Sequence, residues 1–184
     1  MWHLNYKHKI KISVILIIIL ISTQLLAQES GKSEGIDFSR GVTFEVAPRT
    51  GFMGSSGLFG LNMAVNYSAV SFELGASQVI GSTSNMYPIS LSVLINLATK
   101  GKFMPFGSVG PVLFITVPTN TIGDKTITTA GLNFGGGVRY YITNSFGIRI
   151  EARQYFTTIE SNRDESEEIL IFQEISIGAS LLFN

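Results

Sequence analysis

The sequence predicts an all-β protein, a single eight-stranded antiparallel up-and-down transmembrane β-barrel. Three observations carry this reading. Eight extended segments lie between Gly41 and Phe183, several alternate strictly between apolar and polar residues, and the connections between them are alternately long and short. Alternation with a period of two sends successive side chains to opposite faces of a strand. Strands joined by short turns at one end and longer loops at the other are how closed membrane barrels are written.

Ahead of the strands, Lys7, Lys9 and Lys11 precede the apolar stretch Ile12 to Ile21, and Leu25-Leu26-Ala27-Gln28 follows it. A basic start, a short apolar core and a small residue before the cut make residues 1 to 27 a secretory signal peptide, cleaved after Ala27. This ten-residue stretch, apolar but for Ser13, is too short for a spanning helix, which needs roughly 20 residues. Residues 28 to 40 read as a short polar, aperiodic leader, and residues 41 to 184 as the barrel domain. Loss of Lys7, Lys9 and Lys11 leaves 10 basic against 13 acidic side chains in 157 residues, a net charge of −3. That balance argues against nucleic acid as a partner, because such binding rests on neutralising phosphates. The chain has no Cys, which excludes a disulfide framework and a lipid-modified N-terminal cysteine. Beyond Ala27 no apolar run reaches the length of a spanning helix, so any membrane crossing belongs to the strands.

In the first segment, Gly41 to Arg49, Val42, Phe44 and Val46 oppose Thr43 and Glu45. Next, Leu61, Met63, Val65 and Tyr67 oppose Asn62, Ala64 and Asn66, and Val70, Phe72, Leu74 and Ala76 oppose Ser71, Glu73, Gly75 and Ser77. In the fourth, Ile89, Leu91, Val93, Ile95 and Leu97 face away from Ser90, Ser92 and Asn96. The fifth, Pro105 to Val117, has its register interrupted by Gly107, Gly110 and Pro111, as in a bulged or bent strand, and its facing stays open. The sixth sets Leu132, Phe134, Val138, Tyr140 and Ile142 against Asn133, Gly135, Gly137, Arg139 and Tyr141. The seventh sets Phe146, Ile148, Ile150 and Ala152 against Gly147, Arg149, Glu151 and Arg153. The last sets Ile175, Ile177, Ala179, Leu181 and Phe183 against Glu174, Ser176, Gly178 and Ser180. These boundaries put long loops at 50 to 57, 81 to 88, 118 to 125 and 158 to 168, and short turns at 68 to 69, 98 to 104 and 143 to 145.

A soluble barrel hides apolar residues inside, so its enclosed face should be nearly free of charge. Here Glu45, Glu73, Arg139, Arg149, Glu151, Arg153 and Glu174 all fall on the polar faces, beside Gly and Ser residues. An eight-stranded barrel is just wide enough to be filled by side chains, and enclosed charges are tolerable only when paired. The expectation is a lumen plugged by ion pairs. Tyr67, Phe72, Tyr140, Phe146, Phe156 and Phe183 fall near strand ends on the apolar faces, as do the aromatic girdles of membrane barrels.

The stretches GLNFGGGVRYYITNSFGIRIEARQYF (Gly131 to Phe156) and EISIGASLLF (Glu174 to Phe183) resemble the penultimate hairpin and the C-terminal strand of eight-stranded outer-membrane barrels of the OmpA/OmpX type. The resemblance spans about Gly41 to Phe183. It implies residence in the outer membrane of a Gram-negative cell, contact with its lipid, and recognition by the barrel-assembly machinery through a C-terminal strand with Phe183 as its terminal aromatic. Asn184 follows that aromatic.

An enzyme is not expected. The two histidines, His3 and His8, lie in the signal peptide, which leaves the rest without the usual general base or a histidine zinc site. Glu151 and Glu174 are the only carboxylate pair worth weighing, and Arg149 and Arg153 beside them favour an ion-pair network. Gly135-Gly136-Gly137 lacks the strand-to-helix context of a phosphate cradle. The acidic run Glu160 to Glu168 has no fixed cation-ligand spacing and reads as a solvated loop. No cofactor or metal is expected. Three functions follow: a structural or surface-interaction barrel, a small channel or conduit for apolar molecules, and a soluble periplasmic carrier of a lipophilic ligand. The first is preferred.

Overall fold

The computed structural model describes residues 35–118, 126–160 and 167–183. The expected signal peptide, most of the expected loops at 118 to 125 and 158 to 168, and Asn184 lie outside the described residues. Among the described residues ten strands occur in chain order: β1 (Ile36–Asp37), β2 (Val42–Met53), β3 (Ser56–Tyr67), β4 (Val70–Ile80), β5 (Ser84–Asn96), β6 (Lys100–Gly101), β7 (Phe103–Pro118), β8 (Ile127–Tyr141), β9 (Phe146–Glu160) and β10 (Glu167–Phe183). Eight of them close into an antiparallel barrel in the order β10-β2-β3-β4-β5-β7-β8-β9, and β1 pairs with β6.

The alternation decides the facing. Phe44, Phe72, Leu91, Leu132, Ile150 and Ile177 are exposed on the outside, while Thr43, Asn66, Ser71, Ser92, Asn133 and Ser180 are enclosed. The barrel is therefore apolar outside and largely polar within, the inverse of a soluble barrel and the arrangement a bilayer requires.

Strands run further than the sequence pattern suggests, and the loops shrink accordingly. The expected loop at 50 to 57 is a two-residue turn, because pairing continues to Met53↔Ser56. Gly54 adopts φ 60° there, a left-handed conformation that a glycine takes without steric cost. The loop expected at 81 to 88 contracts to residues between Ile80 and Ser84. Hydrogen bonding along the ladder extends past the point where alternation fades, since backbone pairing needs no apolar side chain.

The fifth barrel strand, β7, has a definite facing. Met104, Phe106, Ser108, Val112 and Phe114 point inward, whereas Val109, Leu113 and Val117 point outward. Its register with β8 is continuous from Phe103↔Tyr140 to Thr116↔Ile127. The interruption read from Gly110 and Pro111 is local. Pairing with β5 lapses between Ser90↔Val112 and Val93↔Val109 and resumes without a slip, because Pro111 has no N–H to give.

The last residues of the expected leader are structured, which corrects their reading as aperiodic. Phe38 is fully buried at the terminal end of the barrel, where β2 begins and β10 ends, against Ile36, Met104, Tyr141 and Leu182. Its ring meets Tyr141 edge-on at 6.3 Å. The Phe38 N–H donates to the Thr99 carbonyl at 2.9 Å, and the Phe38 carbonyl accepts from Ser68 N–H at 3.0 Å. The expected turn at 98 to 104 is long because it contains β6, the partner of this strap. A single buried aromatic was hidden in a polar stretch, and its packing partners Met104, Tyr141 and Leu182, more than sixty residues away, reveal its role.

Asp37 opens the turn of 3-10 helix at Phe38–Arg40 by accepting from the Ser39 N–H. The Ser39 hydroxyl, and beyond it Lys100, hold the Asp37 carboxyl below its ordinary pKa. A lowered carboxyl contributes above its ordinary range, and that contribution is lost as pH falls through the lowered value. Phe38→Ala is expected to destabilise the barrel by about 3–5 kcal/mol, as removal of a fully buried aromatic does. Urea unfolding in detergent measures it, and a loss below about 1 kcal/mol would contradict a seated strap.

Candidate functional site in the barrel interior

Strand β9 supplies the centre of the interior charge cluster. Arg149, Glu151 and Arg153 share one face through the period of two, and all three are buried. The Arg149 guanidinium lies 2.6 Å from Glu73, 3.0 Å from Glu151 and 3.6 Å from Glu45. Arg153 bridges Glu73 and Glu151. Arg139 of β8 stands directly opposite Arg149 in register, yet the two cations are reconciled by Glu45, which Arg139 reaches at 3.0 Å. Both guanidinium groups also lie over the Phe106 ring, at 4.3 and 4.5 Å. Cations are attracted to the electron-rich face of an aromatic. A Cβ at Gly137 would collide with the Ile150 carbonyl of the neighbouring strand and also crowd the edge of this ring at 3.0 Å.

Glu174 of β10 does not join Glu151. It stands opposite Arg153 across the strand pair, whereas Glu151 stands opposite Ser176. Glu174 instead pairs with Arg49 and accepts from the Tyr155 hydroxyl at 2.7 Å. All seven charged residues singled out in the sequence lie on the enclosed face.

Arg49 is the interior residue the sequence reading missed. It is buried on β2, it pairs with Glu174, and it donates to the Ser77 hydroxyl at 2.6 Å. The signal was available, because Arg49 lies four residues beyond Glu45 and so on the same face of a strand. With it, Arg49, Arg139, Arg149 and Arg153 stand against Glu45, Glu73, Glu151 and Glu174. The interior is formally neutral among the described residues.

Apolar layers bound the charges on both sides. Towards the loop end lie Met53, Leu58, Val79, Val112, Phe114 and Tyr155; towards the terminal end lies the cluster around Phe38. Ser180 and Asn66 donate to Glu45, at 2.8 and 3.3 Å, and Arg139 donates to Asn96 at 2.8 Å. By contrast, the buried amide of Asn62 has no hydrogen-bond partner among the described residues. Phe183 ends β10 opposite Phe44, exposed on the outer face. Among the described residues no acidic, histidine or cysteine cluster has the makings of a metal site.

A family model described as "Outer membrane protein beta-barrel domain" matches residues 13–183. No curated protein matches the chain. Among solved structures, the N-terminal β-barrel domain of Pseudomonas aeruginosa OprF is similar with a TM-score of 0.64 at 15% identity, covering 82% of this chain and 100% of that one. Neisserial surface protein A has a TM-score of 0.58 at 16% identity, covering 77% and 96%. The outer membrane protein OprG from Pseudomonas aeruginosa has 0.51 at 12%, covering 83% and 100%. At such identities the likeness is one of fold.

Two substitutions separate the paired from the unpaired interior. Arg149→Met strands three glutamates beside one fewer cation and is expected to cost about 3–5 kcal/mol. Asn62→Leu removes an amide that has no partner to lose, so its expected effect is within about 1 kcal/mol of neutral. Parallel urea titrations in detergent decide, and equal losses in the two variants would refute the assignment of the ion pairs as the interior's cohesive element.

Proposed function

We propose that this chain, which belongs to the outer membrane protein β-barrel domain family, is a structural barrel of the outer membrane that presents its loops at the cell surface and passes no solute. The observation that carries this reading is the balanced cluster of four arginines and four glutamates between two apolar layers. Eight strands enclose a space that side chains alone can fill. An aqueous path would require the ion pairs that bridge β2, β4, β8 and β9 across the interior to come apart. In this reading the interior is a plug whose task is rigidity.

The signal peptide of residues 1 to 27 delivers the chain to the periplasm, and the barrel-assembly machinery engages the strand that ends in Phe183. The terminal end then faces the periplasm and the loop end faces outward. The reading assigns no catalysis, because outside the signal peptide the sequence has neither His nor Cys, and each interior glutamate is held by at least one arginine. A carrier of lipophilic ligand would need an apolar interior, and this one is charged at its centre.

Planar-bilayer recording tests the plug. The purified barrel is expected to stay silent under applied voltage, and a reproducible conductance step would overturn the reading in favour of a channel. Membrane residence has its own test. Leu91 is exposed on the outer face, and Leu91→Arg is expected to cost about 2–4 kcal/mol if that face meets the bilayer core. An exposed substitution on a water-facing surface changes stability by about 0.5 kcal/mol or less, and such a result in the lipid-reconstituted protein would remove the membrane reading.

A further inference from the structure

We infer that the folded strap holds a cationic cluster, Arg40, Lys100 and Lys102, against the phosphates of anionic phospholipids in the leaflet at the terminal end of the barrel. The inference rests on the membrane reading given above.

Charge is sorted unevenly over the described surface. Apart from the four enclosed arginines, the described basic residues are Arg40, Lys100 and Lys102, all at the terminal end. Arg40 and Lys100 are solvent-exposed, with side chains 85% and 68% accessible, and Lys102 is exposed as well. Among the described residues the acidic side chain beside them is Asp37, which lies 3.2 Å from Arg40 and 3.4 Å from Lys100. One carboxylate against three cations leaves a local excess of two positive charges among the described residues. This happens in a chain whose mature form is net acidic by three.

The height of the cluster follows from the strands. Arg40 lies two residues before Val42, which is exposed on the outer face. Lys102 immediately precedes Phe103, whose register partner Tyr140 is also exposed there. At about 3.3 Å per residue, both basic residues begin within about 7 Å of the outward-facing belt of Phe44, Tyr67, Tyr140 and Phe183. Aromatic belts mark the level of the headgroups, and long basic side chains there reach the phosphates while their stems lie along apolar surface.

The strap brings two of the three cations, Arg40 and Lys100, together. Without Phe38 seated in the barrel end, Arg40 would lie on a free segment. With it seated, the β1–β6 pairing sets Asp37 opposite Lys100, and Asp37 gathers Arg40 and Lys100 around itself. A gathered cluster needs less ordering on binding than dispersed lysines do. Phosphodiester headgroups are the occupant that fits: singly anionic and present at this level throughout the leaflet.

The test is the selectivity of spin-labelled phosphatidylglycerol over spin-labelled phosphatidylcholine for the reconstituted barrel, read by electron paramagnetic resonance. The wild-type protein is expected to prefer phosphatidylglycerol about fivefold, the ratio that one basic side chain near an anionic surface supplies. The preference should fall towards unity in 0.5 M salt, about where the screening length approaches a contact distance, and in the variant Arg40→Gln/Lys100→Gln/Lys102→Gln. The gel-mobility shift on boiling reports whether each variant is still a closed barrel. Should the triple variant not fold, Lys102→Glu alone is expected to weaken the preference. Equal association of the two lipids with folded wild-type protein, or an undiminished preference in a folded variant, would overturn the inference. Failure of the wild-type protein to enter vesicles at all would instead overturn the membrane reading beneath it.

Discussion

In hydrocarbon, a backbone N–H or C=O that leaves the sheet finds no other partner, and each one left unpaired costs several kcal/mol. That constraint requires the sheet to close on itself, and closure dictates the rest. Eight strands joined in the order β10-β2-β3-β4-β5-β7-β8-β9 leave no edge, and they define an interior too narrow for anything but side chains. Residues on the outer face must then be apolar. The inner face is released from that demand but has to satisfy whatever polar groups it holds. The balance of four glutamates by four arginines is a consequence of closure as much as a separate feature.

The seam between first and last barrel strands shows how closure is secured. Pairing between β10 and β2 runs from Glu174↔Met53 to Gly178↔Arg49 and again from Leu181↔Val46 to Phe183↔Phe44, with a gap opposite Ala47 and Pro48. Proline cannot donate to the ladder. The interior makes up the loss: Arg49 pairs with Glu174, and Ser180 donates to Glu45 at 2.8 Å. Both charged residues of β2 are thereby tied to the C-terminal strands. Phe38 packs with Leu182 of β10, adding an apolar tie at the terminal end. A seam with fewer backbone bonds is held by side chains that meet only in the correct register, because a slip of one residue would turn Glu45 and Arg49 towards lipid.

Much of this was legible in the sequence, for a physical reason. Burial against lipid on one face and enclosure on the other leave a strong period of two, so the facing of seven strands follows from residues such as Phe44, Glu73 and Ile150. Where side-chain polarity carries no such demand, the pattern falls silent. The paired residues Gly51↔Leu58 and Met53↔Ser56 extend the first hairpin beyond any alternation, and Gly107, Gly110 and Pro111 obscure a strand whose register is in fact continuous. Arg49 was readable by its spacing from Glu45 but went unread because the clear alternation of that segment ends at Val46, before Ala47 and Pro48. Phe38 had no local signal at all. Its burial depends on Met104, Tyr141 and Leu182, and partners at that separation are set by the closed topology.

The distribution of apolar and charged layers bears on why the enclosed ions persist. An apolar interior of equal volume is often as stable as a buried ion pair, or more so, so stability alone does not account for eight charges. Specificity does. Apolar side chains fill space in many registers, whereas Glu45, held between Arg139, Arg149 and Ser180, finds those partners only when β2, β8, β9 and β10 meet in one alignment. The apolar layers at either end then keep water from competing for the same bonds, which strengthens each pair in its low-dielectric surroundings. Charge in the middle selects the alignment, and apolar packing at the two ends makes the selection durable.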